Sequence, residues 1–374
     1  MRMLVLRRKK ELKYGAMVVS GLSLLLGLLI YVAIIGTFGV SPLDALTSVA
    51  RAFVTPTVVK DLLVLSMLGY ALLVAFKASL WNIGGEGQFY ISMLPGIVFT
   101  LYLFNPEQGG AIPPFAVVLL SVIGGSLLAA AWAALAGAIK AYLQIDEVPV
   151  TVIMNYVVYY LLNFLVWGPL KGKRTYGYLR TDEIPSVYRL NFRLPMLYIS
   201  DPALSFLYSI ARQVAYYSSF VVGASLAAVF VWWVFKFTKL GLYIRIMGSN
   251  PNYLRATGVN TRVLAVATMA LSGAMVGFAG SLYLLTELGR LPYELERQTA
   301  GYGYLAVLVA WLSLLDYRLV PLSAYIVSAL RNAGTTIQVA GLGGVEQTLI
   351  LIGSVLLVYS LTRFLIEYEV KVEW

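Results

Sequence analysis

The chain has 374 residues, 60% of them hydrophobic and only 12% charged, with a net charge of +10 and neither cysteine nor histidine. A soluble domain carries about twice that charged fraction, and several uncharged runs reach the roughly 20 residues a spanning helix needs; with a mean hydropathy of +0.80, this is an all-α, polytopic membrane protein. A β-barrel is excluded, because its segments alternate over about ten residues. So are disulfide and thiolate chemistry and the usual general base and metal ligand, while basic charge on such a chain marks cytoplasmic loops and gives nucleic-acid binding little weight.

Residues 1–13 form a basic cytoplasmic N-terminus, with Arg2, Arg7, Arg8, Lys9, Lys10 and Lys13 against Glu11. The uncharged run 14–38 is longer than a signal-peptide core and ends in no small-x-small cleavage site, so it reads as a retained first span. After the Thr55-Pro56 breaker a second span is expected over 60–78, and a third continues to about 104. The fourth, 114–139, is rich in glycine and alanine, which let helices approach closely in lipid. The fifth covers 148–168 and holds Asn155 and Asn163. Residues 169–212 form a long external segment, and the sixth span follows at 213–235.

Residues 236–262 carry Lys236, Lys239, Arg245, Arg255 and Arg262 and no acid, the clearest positive-inside loop after the N-terminus. The seventh span, 263–286, has a small-residue face in Gly273, Gly277 and Gly280. Spans eight (300–315) and nine (319–333) are short enough to be broken or re-entrant. A Gly-rich break at 334–344 precedes a tenth span at 345–365 and a cytoplasmic tail at 367–374. About ten spans place both termini on the cytoplasmic side of a transmembrane domain covering 14–366. Against this, the external segment carries Lys171, Lys173, Arg174, Arg180, Arg189, Arg193 and Arg212 facing Asp182, Glu183 and Asp201; its length loosens the rule there. Ile83-Gly84-Gly85-Glu86-Gly87-Gln88 is echoed by Leu342-Gly343-Gly344-Val345-Glu346-Gln347, a candidate internal repeat of the kind transporters build around broken helices.

Two stretches carry function. Trp81-Asn82-Ile83-Gly84-Gly85-Glu86-Gly87-Gln88 puts a carboxylate, two side-chain amides and three glycines between apolar runs. Charge at that depth is unfavourable by a few kcal/mol, and open backbone there is satisfied only by protein or a wet cavity. Asn82, Glu86, Gln88 and Asn155 are the candidate substrate path, since neutral amides match hydroxyls and amide-like edges. Tyr90, Tyr156, Tyr159 and Tyr160 are candidates for ring stacking. A structural role stands beside the first reading: Glu86 and Gln88 capping half-helices, or Glu86 pairing with Lys77, and the tyrosines as ordinary core or belt residues. The second stretch is 241–260. Asn250 is an N-cap with Pro251 at N1, and Gly258 a C-terminal stop, giving a short capped helix that suits a groove on a cytoplasmic partner.

These residues resemble a known family. Trp81 to Gln88, then Glu147-Val148-x-x-Thr151-x-Ile153-Met154-Asn155-Tyr156, then 241–259 ending in Gly248-x-Asn250-Pro251 and Gly258, are similar in the same order to three segments of permease subunits of ABC importers. The branch is the one that handles nucleosides and simple sugars, within the branched-chain amino acid/ribose-type permeases. The likeness covers about residues 60–365; Trp81, Gly85, Pro149 and the Pro-rich 169–212 depart from the pattern. The resemblance implies a subunit that does not hydrolyse ATP, and the chain has no Gly-x-x-x-x-Gly-Lys-Ser/Thr loop. ATP and Mg would sit on a cytoplasmic ATPase contacted through Gly241, Leu242, Arg245, Asn250, Pro251, Leu254 and Gly258. A second permease subunit, an external substrate-binding protein docking on 169–212, and the lipid bilayer complete the expected partners. An ion- or proton-coupled secondary carrier is the alternative, with Glu86 as its coupling acid.

Overall fold

The computed structural model describes residues 2–7, 15–37, 39–106, 112–174, 177–299, 301–339, 350, 353–355, 357–358, 361–362 and 368–373. The chain divides into two compact units, Met1–Val58 with Tyr325–Trp374, and Val59–Ala324.

In the first unit β1 (Arg2–Arg7) pairs antiparallel with β2 (Tyr368–Glu373), joining the two ends of the chain in a short ribbon. Helix α1 (Gly15–Gly36) is the expected first span. Helix α2 (Pro42–Phe53) was not anticipated. Its signals are local: Ser41 Oγ accepts from Asp44 N at 3.1 Å and Pro42 opens the first turn, a standard start. Ala45, Val49 and Ala52, at helical spacing, are buried. Tyr325 Oη donates to Phe53 O at 2.6 Å and Thr57 Oγ1 to Asn332 Oδ1 at 2.9 Å.

The second unit opens with α3 (Val58–Lys77), the expected second span. The third span is broken into α4 (Gly85–Ile91), α5 (Met93–Ile97) and a π-helical end over Val98–Leu103. Pro95 explains the first break, because it lacks the N–H that would bond to the Ile91 carbonyl and its ring crowds that turn. Helix α6 (Pro114–Ala138) runs on into a π turn, Ile139–Leu143, that takes up residues expected as a polar loop. Helix α7 is Glu147–Trp167.

Residues 177–190 fold back on the far end of the spans, with Thr181 N donating to Leu291 O at 2.9 Å and Ile184 N to Gly289 O at 2.7 Å. Helix α8 (Pro202–Tyr216) then precedes α9 (Ser218–Phe237), so the sixth span starts at Ser218 and not at Gln213. Asp201 caps α8 through Leu204 N at 2.8 Å, a start signal hidden within the Pro-rich stretch. Helices α10 (Lys239–Ser249) and α11 (Pro251–Ala256) fill the basic loop. Helix α12 (Thr261–Tyr283) ends in the π turn Leu284–Leu288. After α13 (Glu296–Thr299) and α14 (Tyr302–Leu312) comes α15 (Val320–Val339).

Five helices are long and apolar enough to cross a membrane among the described residues: Val58–Lys77, Pro114–Leu143, Glu147–Trp167, Ser218–Phe237 and Thr261–Leu288. Helix α14 is only 11 residues, about 17 Å, the short eighth segment expected from the sequence. Helix α15 continues through Gly334 to Val339, because one interior glycine costs only about 1 kcal/mol. The rest of the Gly-rich break, the second copy of the repeat and most of the tenth span lie outside the described residues. Helices α6 and α12 make a broad contact. Gly273 faces Ala133 and Gly277 faces Ala129, so the small-residue faces of the two spans meet, and close backbone approach supplies the dispersion contact that lipid cannot.

Candidate functional site

The loop 78–84 joins α3 to α4. Ser79 adopts φ 56°, a left-handed turn, and the chain then doubles back into Gly84 and α4. Side chains satisfy the backbone groups this break exposes. Glu147 Oε1 accepts from Trp81 N at 3.0 Å, while Glu147 Oε2 pairs with Lys140 Nζ at 2.6 Å. Asn155 Oδ1 accepts from Gly87 N at 2.8 Å, and Asn155 Nδ2 donates to Ile83 O at 3.0 Å and to the Tyr304 hydroxyl at 3.2 Å. Buried backbone polar groups are nearly always paired, and one helix distant in sequence, α7, performs the pairing here.

The four expected path residues come together. Asn82 and Gln88 form a reciprocal amide pair, with Nδ2 to Oε1 at 3.0 Å and Nε2 to Oδ1 at 2.8 Å, and Asn82 Nδ2 also reaches Ser272 Oγ of α12 at 3.0 Å. Glu86 accepts from the Tyr90 hydroxyl and from Gly303 N at the start of α14; its partners are not Lys77. Asn82, Glu86, Gln88 and Asn155 are 0%, 4%, 1% and 4% exposed. Gly303 is required by this contact: a Cβ there would fall on the Glu86 backbone. Of the tyrosines, Tyr90 is buried and bridges Glu86 to Thr299, whereas Tyr156 and Tyr160 point outward and are exposed. Tyr159 is half-buried and lies edge-on to Tyr160 at 4.9 Å.

Sequence reasoning missed the partners Ser272, Thr299, Gly303 and Tyr304. The signal for two of them was the repeat Gly301-Tyr302-Gly303-Tyr304 at the head of a short apolar run, which has the same glycine-then-polar character as 81–88. Tyr302 also donates to Asp61 of α3, so α14 ties α3 and α4 together.

At one end of the spans, α10 packs directly on the start of this loop. Ser79 Oγ donates to Gly248 O at 3.0 Å, and a Cβ on Gly248 would meet the Lys77 carbonyl. Arg245 donates to Phe235 O at 3.0 Å, and Leu242 is exposed. Gly241 lies against the Val234 carbonyl. Asn250 caps α11 through Tyr253 N at 3.1 Å, Pro251 is at its first turn and Gly258 turns out at φ 80°. Leu254, expected as a docking side chain, is 1% exposed and faces inward; Tyr253, at 56%, is the apolar side chain presented outward.

At the other end Lys60 and Glu287 form a 3.0 Å ion pair, and the Tyr217 hydroxyl donates to Glu287 Oε2 at 3.0 Å. They border a cleft of about 330 Å³ shared with Arg180 and Arg290. Burial first, then the Glu287 carboxylate, pushes the Tyr217 phenol up. Among the described residues there is no cluster of three or more acidic side chains able to hold a metal.

Five apolar helices of spanning length, with a buried amide cluster at a broken helix, make a polytopic membrane protein. The chain belongs to the family described as branched-chain amino acid transport system / permease component, which matches residues 54–360. It is 28% identical over 250 residues to the guanosine ABC transporter permease protein NupP of Bacillus subtilis (strain 168), covering 65% of this chain and 63% of that one. It is 24% identical over 309 residues to the glucose ABC transporter permease protein TsgB13 of Haloferax volcanii, covering 82% and 75%. With the nucleoside ABC transporter permease protein NupB of Lactococcus lactis subsp. cremoris it shares 24% over 225 residues, covering 59% and 56%. The chain thus spans a little under two thirds of the guanosine permease's length. No solved structure gives a significant match. The protein is a multi-pass membrane transport component.

Proposed function

We propose that the chain is the transmembrane subunit of an ABC importer that moves a nucleoside or simple sugar by alternating access. A separate cytoplasmic ATPase, carrying ATP and Mg, would drive it. The observation that carries this reading is the neutral amide cluster of Asn82, Gln88 and Asn155 at the break, held between α4, α7 and α12. Such groups pair with sugar hydroxyls or base edges once they part from one another, and leaving them unpaired is unfavourable by about 1–3 kcal/mol each. The names of the relatives, guanosine, nucleoside and glucose permeases, point to the same cargo class. The ribbon of β1 and β2 supports both termini lying on one side, and the basic N-terminus makes that side the cytoplasmic one on the positive-inside rule. A second permease chain completes the path, and 169–212 is the surface for an external binding protein.

The test is uptake into vesicles holding the permease, its ATPase and the binding protein. Labelled guanosine or glucose should accumulate only with ATP and should do so in the presence of an uncoupler. Uptake that ignores ATP and collapses with the uncoupler would instead establish an ion-coupled carrier. The geometry at Glu86 disfavours that alternative, because the acid such a carrier would titrate is engaged by Tyr90 and Gly303.

A further inference from the structure

Beside α11 lies an open cleft of about 850 Å³, lined among others by Leu80, Lys140, Arg255, Asn260, Thr261 and Arg262. It sits where the π turn closing α6 meets the first turn of α12, at the level where both spans end. Its charged lining side chains are all basic. Lys140 is paired with Glu147, so Arg255 and Arg262 supply the net charge. Arg255 Nε reaches Thr261 Oγ1 at 3.4 Å, and the Arg262 guanidinium lies 5.8 Å from the Tyr142 ring centre; both arginines remain exposed. Beside the cleft in the chain, Leu143, Ile145 and Val263 are exposed apolar side chains. On a membrane protein such side chains belong in acyl chains, and a basic pocket between helix ends binds lipid headgroups.

We propose that this cleft is a binding site for an anionic phospholipid. Arg255 and Arg262 hold the headgroup phosphate, and the acyl chains run over Leu143, Ile145 and Val263. Pro251 and Gly258, expected to meet the ATPase, also line the cleft, so an acidic surface of that partner is the competing occupant; the exposed apolar Leu143, Ile145 and Val263 beside the arginines favour the lipid. Bound lipid would join α11 to the first turn of α12.

Native mass spectrometry of the purified full chain, in micelles with equal phosphatidylglycerol and phosphatidylcholine, tests this. The wild type should retain phosphatidylglycerol in preference. Each basic residue near a lipid surface is worth about a fivefold ratio, so Arg255→Gln with Arg262→Gln should lower retention about thirtyfold. The Lys pair at the same positions should keep most of it, and Lys236→Gln with Lys239→Gln should change it little. If the double Gln variant is not monodisperse, Arg262→Gln alone should show the fivefold step. Equal retention of the two lipids by the wild type, or undiminished retention by the Gln variants, overturns the proposal. So does full displacement by millimolar inorganic phosphate, which assigns the cleft to a free anion. Gln variants that keep the lipid but lose the ATPase on co-purification assign it to that partner instead.

Discussion

Asn155 shows why a single amide is needed at the break. Its oxygen takes the Gly87 N–H and its nitrogen serves the Ile83 carbonyl, a donor and an acceptor that only an amide of this length offers together. Asn155→Ala leaves both groups buried and unpaired, and the loss should be about 2–5 kcal/mol. Thermal unfolding of the purified variant should show a clear drop in midpoint. Asn155→Asp keeps the first bond but sets an anion against the Ile83 carbonyl, so it should rescue little. Glu86→Gln separates two roles for the carboxylate. If Glu86 acts by holding α4 to α14, the variant should lose stability together with transport. If it touches cargo, stability and coupled ATP hydrolysis should hold while the apparent affinity for cargo changes.

Helix α11 has two faces with two expected behaviours. Leu254 is buried, so Leu254→Ala should destabilise the permease itself by about 2–4 kcal/mol. Tyr253 is exposed, so Tyr253→Ala should leave the melting midpoint unchanged and weaken ATPase co-purification and stimulated ATP turnover. Unchanged co-purification would move the contact elsewhere. The sequence showed that this helix exists, through Asn250, Pro251 and Gly258, because caps are local. It did not show which face turns inward, because that depends on helices remote in the chain. The same divide holds at the break. Glycines and polar residues at 82–88 disclosed an interrupted span, whereas Ser272, which joins it from α12, carries no local signal of contact. Helices α2 and α8 were not anticipated although each begins with a capping residue and a proline.

Under the proposed alternating access, the close contact of α6 with α12 and the ion pair of Lys60 with Glu287 are contacts on which a shift would act. Gly277→Leu should push α6 and α12 apart and abolish transport even where protein is produced, with uptake as the readout. At the far end, Tyr217→Phe removes the donor to Glu287 and should lower the melting midpoint by a few degrees. The folded pKa of Tyr217 is raised, so the contribution is complete below the unfolded value near 10 and is lost only as pH rises above it. The Tyr217→Phe deficit should therefore be constant between about pH 5 and 9; a deficit that fades within that window would overturn this account of Tyr217.

The seat of Gly248 on the Lys77 carbonyl, with Ser79 bonded to the Gly248 carbonyl, leaves no play in the linkage. In the proposed cycle a stroke delivered to α10 would reach the 78–84 loop in the same movement, as in a gear train without backlash. Slack can be introduced deliberately. One extra glycine after Ser79 should let the drive slip, with the ATPase still turning over and cargo left behind.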